Sequence, residues 1–509
     1  MDSTSGVTPL FQSSTTTPLY LTTRSVKANY SSSNDYRYSS GLVPRRRKRK
    51  TLHRSLRILD MEERNGPPRR EINAKDALAV NLWILRRYGA WAADIGSSVL
   101  RILYNVYGAA MITVVTVTYY STELVYLYLI WGNLEAITEV SFLLLTHLAT
   151  AVKLANFLIR RERVEKLVSD TCQEKFLPKD TKHYDILRTT VRKANKENIV
   201  FNLMCISTVM AWAIVPLVEN NKVVRRLPLK TWFPFSTDST PIYELVYAYE
   251  IIAVLINACM NAMLDTFASV LMAVAGCQVD VLCLNLTSLD RSSDNIRSAK
   301  ERRLKGLIEG ESNNVIATLS VAKNRVGNEL EKRKERLPVA KEFPLARDDD
   351  LLHRRIAGCI EHHGSILRFG KEIQDVFGIG ILIQFAVSST ILCLTCFELT
   401  LISATSLQFY SMLLYQGCML FQIYCYCWHG NELKVKTSQL TTAAFNCTWI
   451  TSSPKFKSSL RIVMCRVQRP MQLMVGGFFS LSLETFSMIL RTAYSFYAVL
   501  QRVHSNGTN

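Results

Sequence analysis

The residues with the means for chemistry are few and poorly placed for it. Eight histidines are scattered along the chain. Glu361-His362-His363 looks like part of a metal cluster. It precedes an amphipathic segment, however, and a packed or solvated helix face explains it without a ligand role. Cys393/Cys396 and Cys425/Cys427 have metal-like spacing. Each pair lies in an apolar stretch with no second pair beside it, so free thiols filling helix surfaces are the better account. Most of the 13 cysteines sit in such stretches, among them Cys205, Cys259, Cys277 and Cys418. A disulfide framework would instead pair cysteines in exported loops. No Walker loop, GxSxG, HExxH or dinucleotide fingerprint occurs. The chain is therefore expected not to be an enzyme and to need no cofactor, which leaves transport, channel activity or receptor signalling.

A second set of chemical groups stands inside long apolar stretches. Ile137–Ile159 holds Glu139, His147 and Lys153, Leu245–Cys277 holds Glu250 and Asp265, and Met471–Leu500 holds Glu484 and Arg491. Ionisable residues at membrane depth are functional by default. Glu484 and Arg491 are seven apart and share a helix face, toward either a neighbouring helix or a wet cavity.

The elements that must hold these groups are membrane helices. A span needs about 20 mostly apolar residues. Ile102–Tyr120, Ile199–Val218, Val376–Phe397 and Phe409–Trp428 meet this without a charge, and the three stretches above make seven. The net charge of +19 first suggests nucleic acid, but its distribution fits cytoplasmic loops better. With the N-terminus inside, the inside segments (1–97, 160–197, 278–375 and 429–470) carry 53 of the 61 Lys and Arg, and the outside segments carry 5. Residues 1–40 lack an apolar core of secretory length, so the first exported segment is the first span itself. The sequons at Asn285 and Asn446 fall on the inside and should stay unglycosylated.

The expected fold is all-α, a seven-transmembrane-helix membrane protein with its N-terminus inside and its C-terminus outside. Residues 1–75, with the basic run Arg45 to Lys50, form a disordered cytoplasmic extension in which Met61 is a possible true start. Residues 76–289 hold spans one to four, 290–350 a charged cytoplasmic insertion, and 351–509 spans five to seven. A G-protein-coupled receptor would have the opposite topology, and no DRY-like or NPxxY-like motif is present. A secondary transporter would show inverted repeats, and none is visible.

The C-terminal third carries a resemblance. From Tyr426 the chain reads YCWHGNELKVKTSQLTTAAFNCTW, and from Met464 it reads MCRVQRPMQLMVGGFFSLSLETFSMILRTAYSFYAVL. The GNEL run, the following Trp, the QRP step and the LSLETF…YS helix, in this order, resemble the insect odorant receptor family in its ligand-tuning members. The match is specific over roughly 410–500, weaker from Trp83 to Leu289, and fails for 1–75 and about 296–347. LSLETF separates the chain from the family's shared co-receptor. AYSFYAVLQ stands where a gustatory receptor would carry TYxxxxxQF-like spacing. A gustatory receptor or a metabotropic seven-helix chemoreceptor is the alternative.

The resemblance implies a ligand-gated, non-selective cation channel in the plasma membrane of olfactory sensory neurons. Its partners would be the odorant receptor co-receptor in a heterotetramer, a small hydrophobic odorant and membrane lipid, with no nucleic acid. It places an odorant pocket in the outer half of the bundle, for which the positions are Ile137, Ser141, Leu145, Cys205, Thr208, Trp212, Tyr247, Glu250, Tyr410 and Leu413. It puts Val499 and Val503 at the gate of a pore helix over 478–503, with Gln501 and Arg502 near the outer mouth. A cytoplasmic anchor would span 429–475, where Asn431 to Pro470 mixes apolar positions with Lys and Arg. Gly476-Gly477 would either bend the last helix or let helices pack closely in lipid.

Overall fold

In the computed structural model of the chain, the described residues are 72–92, 95–132, 134–218, 227–237, 239–289, 346–447, 449–450 and 452–507. The Arg45 to Lys50 run, Met61, residues 1–71 and residues 290–345 of the insertion lie outside them.

The described chain opens on a 3-10 turn, Ala74–Leu78, whose start is closed by a capping box between Asn73 and Asp76. Ala74, Ala77 and Leu78 are buried, so packed structure begins a few residues before the expected boundary at 76. Helix α1 (Ala79–Arg87) follows. Then come α2 (Ser98–Leu129), α3 (Leu134–Ile159), α4 (Arg161–Asp170), α5 (Thr181–Val218) and α6 (Ile242–Thr287). After the insertion stand α7 (Ala346–Leu401), α8 (Leu407–Phe445), α9 (Pro454–Val467) and α10 (Leu483–Gly507). The start of α7 places 346–350, assigned above to the insertion, in a helix.

The first six expected spans fall inside α2, α3, α5, α6, α7 and α8. Among the described residues, α2, α3, α5, α6 and α7 are long and apolar enough by length and composition alone to cross a membrane. Helix α8 is diluted by Tyr415, Gln416, Gln422, Tyr424 and Tyr426, and α10 by Glu484, Arg491, Gln501 and Arg502. Helix α6 is the hub: 78% of its most apolar window is buried, against 17% for α2 at the periphery. It packs most extensively on α8 and then on α5, while α3 and α10 lie on α7. Helices α5, α6, α7 and α8 are 38, 46, 56 and 39 residues long, far beyond the length a bilayer requires. Their excess projects at one end, where α4 and α9 join them.

The last expected span needs correction. Residues Met471 to Ser482 are not helical. Met474–Val475 pairs antiparallel with Phe479–Ser480, around a turn in which Gly476 and Gly477 have φ of 61° and 78°. Left-handed backbone of this kind is what glycine permits at no steric cost. The glycine pair is thus a turn and not a helix bend, and the turn packs closely on a helix, since a Cβ at Gly476 would lie 2.6 Å from Leu382 Cδ2 of α7. The last helix, expected to run from 478, starts at Leu483, and Ser482 before it accepts a hydrogen bond from Thr485 N at 3.3 Å.

Candidate functional site

At the end of the bundle where α2 turns into α3, three helices bring aromatic and small polar side chains together. Cys205, Thr208 and Trp212 follow one face of α5 at helical spacing, and all are buried. Tyr415 and Cys418 meet them from α8, and Phe142 and Thr146 from α3. The Tyr415 ring stands 5.4 Å from Trp212 and 5.2 Å from Phe142, centroid to centroid. Its hydroxyl lies 2.5 Å from Thr146 Oγ1 and 3.2 Å from the Phe142 carbonyl oxygen. Thr208 Oγ1 lies 3.5 Å from Cys418 Sγ. The cluster is apolar with a few fixed hydroxyls and thiols, the composition of small-molecule sites.

Of the expected pocket residues, the structure gathers Cys205, Thr208 and Trp212. Tyr247 is half-buried beside them, its hydroxyl donating to the Ala213 carbonyl. Ile137, Ser141 and Leu145 are half-buried on α3, and Leu145 packs on the core. Tyr410 and Leu413 are not brought in. They are 55% and 50% exposed, because the buried stripe of α8 runs through Ser411, Tyr415, Cys418 and Gln422. Tyr415, Cys418, Phe142 and Thr146 were missed. The three-to-four spacing of that α8 stripe was the available signal.

Glu250 belongs to a separate group on the α2 side of α3. It is fully buried and accepts from Leu229 N at 3.4 Å and from Thr231 Oγ1, both in the segment before α6. That segment is also fastened by Lys230 to Glu139 and by Trp232 N to the Thr122 carbonyl. Nearby, His147 Nδ1 lies 2.7 Å from Glu123 Oε2, and both are buried. Tyr119 packs edge-on against His147, and Tyr120 stacks on it.

Deeper in the bundle, Lys153 donates to Asp265 at 2.6 Å, to Gln384 at 2.8 Å and to Asn261. Asp265 also accepts from Tyr426 at 2.8 Å and from Gln422. This network joins α3, α6, α7 and α8, and it satisfies all three protons of the lysine.

The long helices continue past this layer into a polar joint. His429 Nε2 lies 2.8 Å from Glu197, and Lys436 lies 2.8 Å from Asp280 and 3.1 Å from Glu432. His429, with Lys436 and Lys193 adding to it and burial opposing, holds the Glu432 carboxyl down at about 2. A cavity of about 460 Å³ lined by Lys193, Asp280, His429, Glu432 and Lys436 adjoins this joint. The Glu361-His362-His363 run does not converge: Glu361 pairs with Lys175 at 3.5 Å, while His362 turns to Gln278 at 3.0 Å. All 13 cysteines are free thiols.

Helix α10 buries Ile489 and Ala493 and leaves Val499 and Val503 62% and 56% exposed, one turn apart on one face. Gln501 and Arg502 are exposed. Glu484 and Arg491 are exposed as well, so no other element of the described chain covers them. The helix is seated at its start by Gly430 of α8: a Cβ there would lie 2.3 Å from Leu481 Cβ.

Residues 133–494 match the family described as 7tm Odorant receptor. The chain is 23% identical to odorant receptor Or1 of Anopheles gambiae over 434 residues, 85% of this chain and 96% of that protein. It is 23% identical to the odorant receptor coreceptor of the same species over 301 residues, which are 54% of this chain and 63% of that one. The fold is shared with the insect olfactory receptor OR5 from Machilis hrabei, solved in complex with eugenol, at a TM-score of 0.63 and 18% identity over 84% of this chain and 97% of that one. Or1 aligns nearly end to end where the coreceptor aligns in part, and the chain belongs to the insect odorant receptor family.

Proposed function

We propose that this odorant receptor is the ligand-tuning subunit of an odorant-gated, non-selective cation channel, which it forms with the odorant receptor co-receptor in the plasma membrane of olfactory sensory neurons. The observation that carries this reading is the division of labour between two groups of residues on different helices. The Trp212–Tyr415–Phe142 cluster is a buried aromatic seat for a small apolar molecule. Val499 and Val503 form an exposed apolar stripe on α10, suited to a dewetting gate around an axis shared between subunits. The charge split puts the α2–α3 turn outside and the long helical projection in the cytoplasm. The pocket then faces the odorant, and the projection is the anchor through which subunits assemble. An odorant binding between α3, α5 and α8 shifts α8, and Gly430 passes that shift to the start of α10 through Leu481.

The test is a current recording across an odorant panel in cells carrying the chain alone, the co-receptor alone, or both. Odorant-evoked current is expected only with both. A robust odorant current from the chain alone would show the heteromeric reading to be wrong.

A further inference from the structure

A cavity of about 630 Å³ opens where the loop before α5, the end of α6 and the first half of α7 meet. Neither the odorant pocket nor the pore helix uses it, and its volume suits a small molecule. Its charges are sorted by depth. The carboxylates that line it, Glu174, Asp180 and Glu361, are all exposed, and Glu361 pairs with Lys175 at 3.5 Å. Farther in stand Arg355, half-buried, and the imidazoles of His183 and His362, 3% and 7% exposed.

This inner lining is short of acceptors. His183 Nδ1 accepts from Lys179 N at 3.3 Å, so its Nε2 carries the proton and donates to Asn285 Oδ1 at 3.1 Å. Asn285 is left with amide N–H groups that meet no acceptor among the described residues. Gln278 donates to the Phe176 carbonyl at 3.1 Å, so its oxygen accepts from His362 Nε2 at 3.0 Å. His362 Nδ1 is then free to take a proton beside an anion. Arg355 and Lys179 form no ion pair among the described residues. His362 registers the resulting field. Burial first, and then His183, Lys179, His363 and Lys175, push its imidazole down to about 4. Those neighbours are all basic. Unpaired cations, spare amide donors and a buried imidazole around one cavity make a seat for a multiply charged oxyanion.

Depth in the fold decides between a lipid headgroup and a free solute. His362 is 14 residues before Val376, the expected start of its span, and His183 is 16 before Ile199. At 1.5 Å per residue both lie about 20 Å along the helix beyond the hydrocarbon. The headgroup layer is only about 6 Å thick on each side.

We propose that this cavity binds a soluble phosphate-bearing anion of the cytosol, with Arg355 and Lys179 on the phosphate oxygens and Asn285 donating to them. The cytosolic side rests on the channel reading and its charge split; the anion seat itself does not. An anion held there ties the loop before α5 and the end of α6 to α7, in the projection through which subunits are proposed to assemble. No covalent step is involved.

The experiment is a thermal-shift titration of the full chain in lipid nanodiscs, with sodium pyrophosphate and sodium chloride of equal ionic strength as separate probes. The discs are made with and without phosphatidylinositol bisphosphate. Wild type should be stabilised by pyrophosphate and not by chloride, in both kinds of disc. Arg355→Gln should raise the half-effective pyrophosphate concentration by about 10- to 100-fold, the worth of a charge-assisted bond. General salt exclusion would act alike on both proteins, so the difference between them reads the site. Lys179→Gln, at an exposed position, should raise it by about 2- to 5-fold and keeps the test alive if Arg355→Gln folds poorly. Equal response to pyrophosphate and chloride, or curves unmoved in folded variants, would overturn the seat. Stabilisation by the phosphoinositide alone, lost in Arg355→Gln, would overturn the soluble source and give the seat to a lipid headgroup. Binding is read without current, so each of these outcomes leaves the channel reading standing. Absent odorant current with intact pyrophosphate binding would strike the channel reading alone.

Discussion

Tyr415 is the residue on which the proposed pocket turns, because from α8 it touches both α5 and α3. Its ring bridges Trp212 and Phe142, and its hydroxyl is held by Thr146. Burying an aromatic ring is worth roughly 1.5–3 kcal/mol, so Trp212→Ala should weaken odorant potency by about 10- to 100-fold. Current driven by a co-receptor agonist should persist, since the proposed pore lies on another helix. If both currents fall together with surface protein, Trp212 is a packing residue and the pocket lies elsewhere. The deeper Lys153–Asp265 pair calls for a different outcome. Lys153→Met strands a buried carboxylate and should cost about 3–5 kcal/mol, read as lost thermal stability and surface protein. Adding Asp265→Asn should recover part of that loss, because the amide still serves Tyr426. A stable single variant would show that the network is wet and dispensable. The sequence announced Lys153 and Asp265 as unusual groups inside spans, but their pairing across 112 positions could not be read from spacing. Trp212 and Thr208 were legible as one face of a long apolar helix. Tyr410 and Leu413 fall on the exposed face of α8, which is apolar on both faces, so composition does not say which side is buried.

At the scale of elements, the hydrophobic runs located the helices well and the boundaries poorly. A run of apolar residues is silent about extended backbone, which is why Met471 to Ser482 read as helix when it is a hairpin. The two glycines and Ser482 were the local signs of a turn followed by an N-cap. The join between α8 and α10 is narrow enough to test by one methyl group. Gly430→Ala would place Cβ against Leu481. It should cost about 1–3 kcal/mol through forced displacement and shift gating before it abolishes surface delivery. Gly364→Ala, where nothing lies within 4 Å, should be neutral or stabilising by about 0.5–1 kcal/mol in a helix interior. Similar behaviour of the two variants would remove the join from the gating path. Farther along α8, the Glu432 carboxyl is held near 2 against an ordinary 4.5. Its contribution to the joint between α5, α6 and α8 is therefore complete above about pH 4.5 and lost as pH falls toward 2. Glu432→Gln should lower thermal stability at neutral pH and flatten that acid limb. An unchanged acid limb would assign the joint's strength to other residues.

For the whole molecule, topology is the claim that charge and helix order support together. The 53-to-5 division of Lys and Arg predicts that an N-terminal epitope is reached only after permeabilisation and a C-terminal one on intact cells. Surface staining of the N-terminal epitope would reverse the bundle and put the pocket on the wrong side. The architecture was legible because the bilayer imposes length and charge rules on every span, whereas the assignment of α10 to a pore came from resemblance and not from any pattern in the helix itself. The most direct test is therefore the reversal potential of odorant-evoked current in excised outside-out patches, from cells carrying the co-receptor with either wild-type chain or Val499→Ala. The account predicts current that survives excision without cytosolic factors, with ion permeability or basal leak altered by Val499→Ala and the ranking of odorants preserved. Current that vanishes on excision, or permeability and leak identical in the two while the odorant ranking changes, would contradict it.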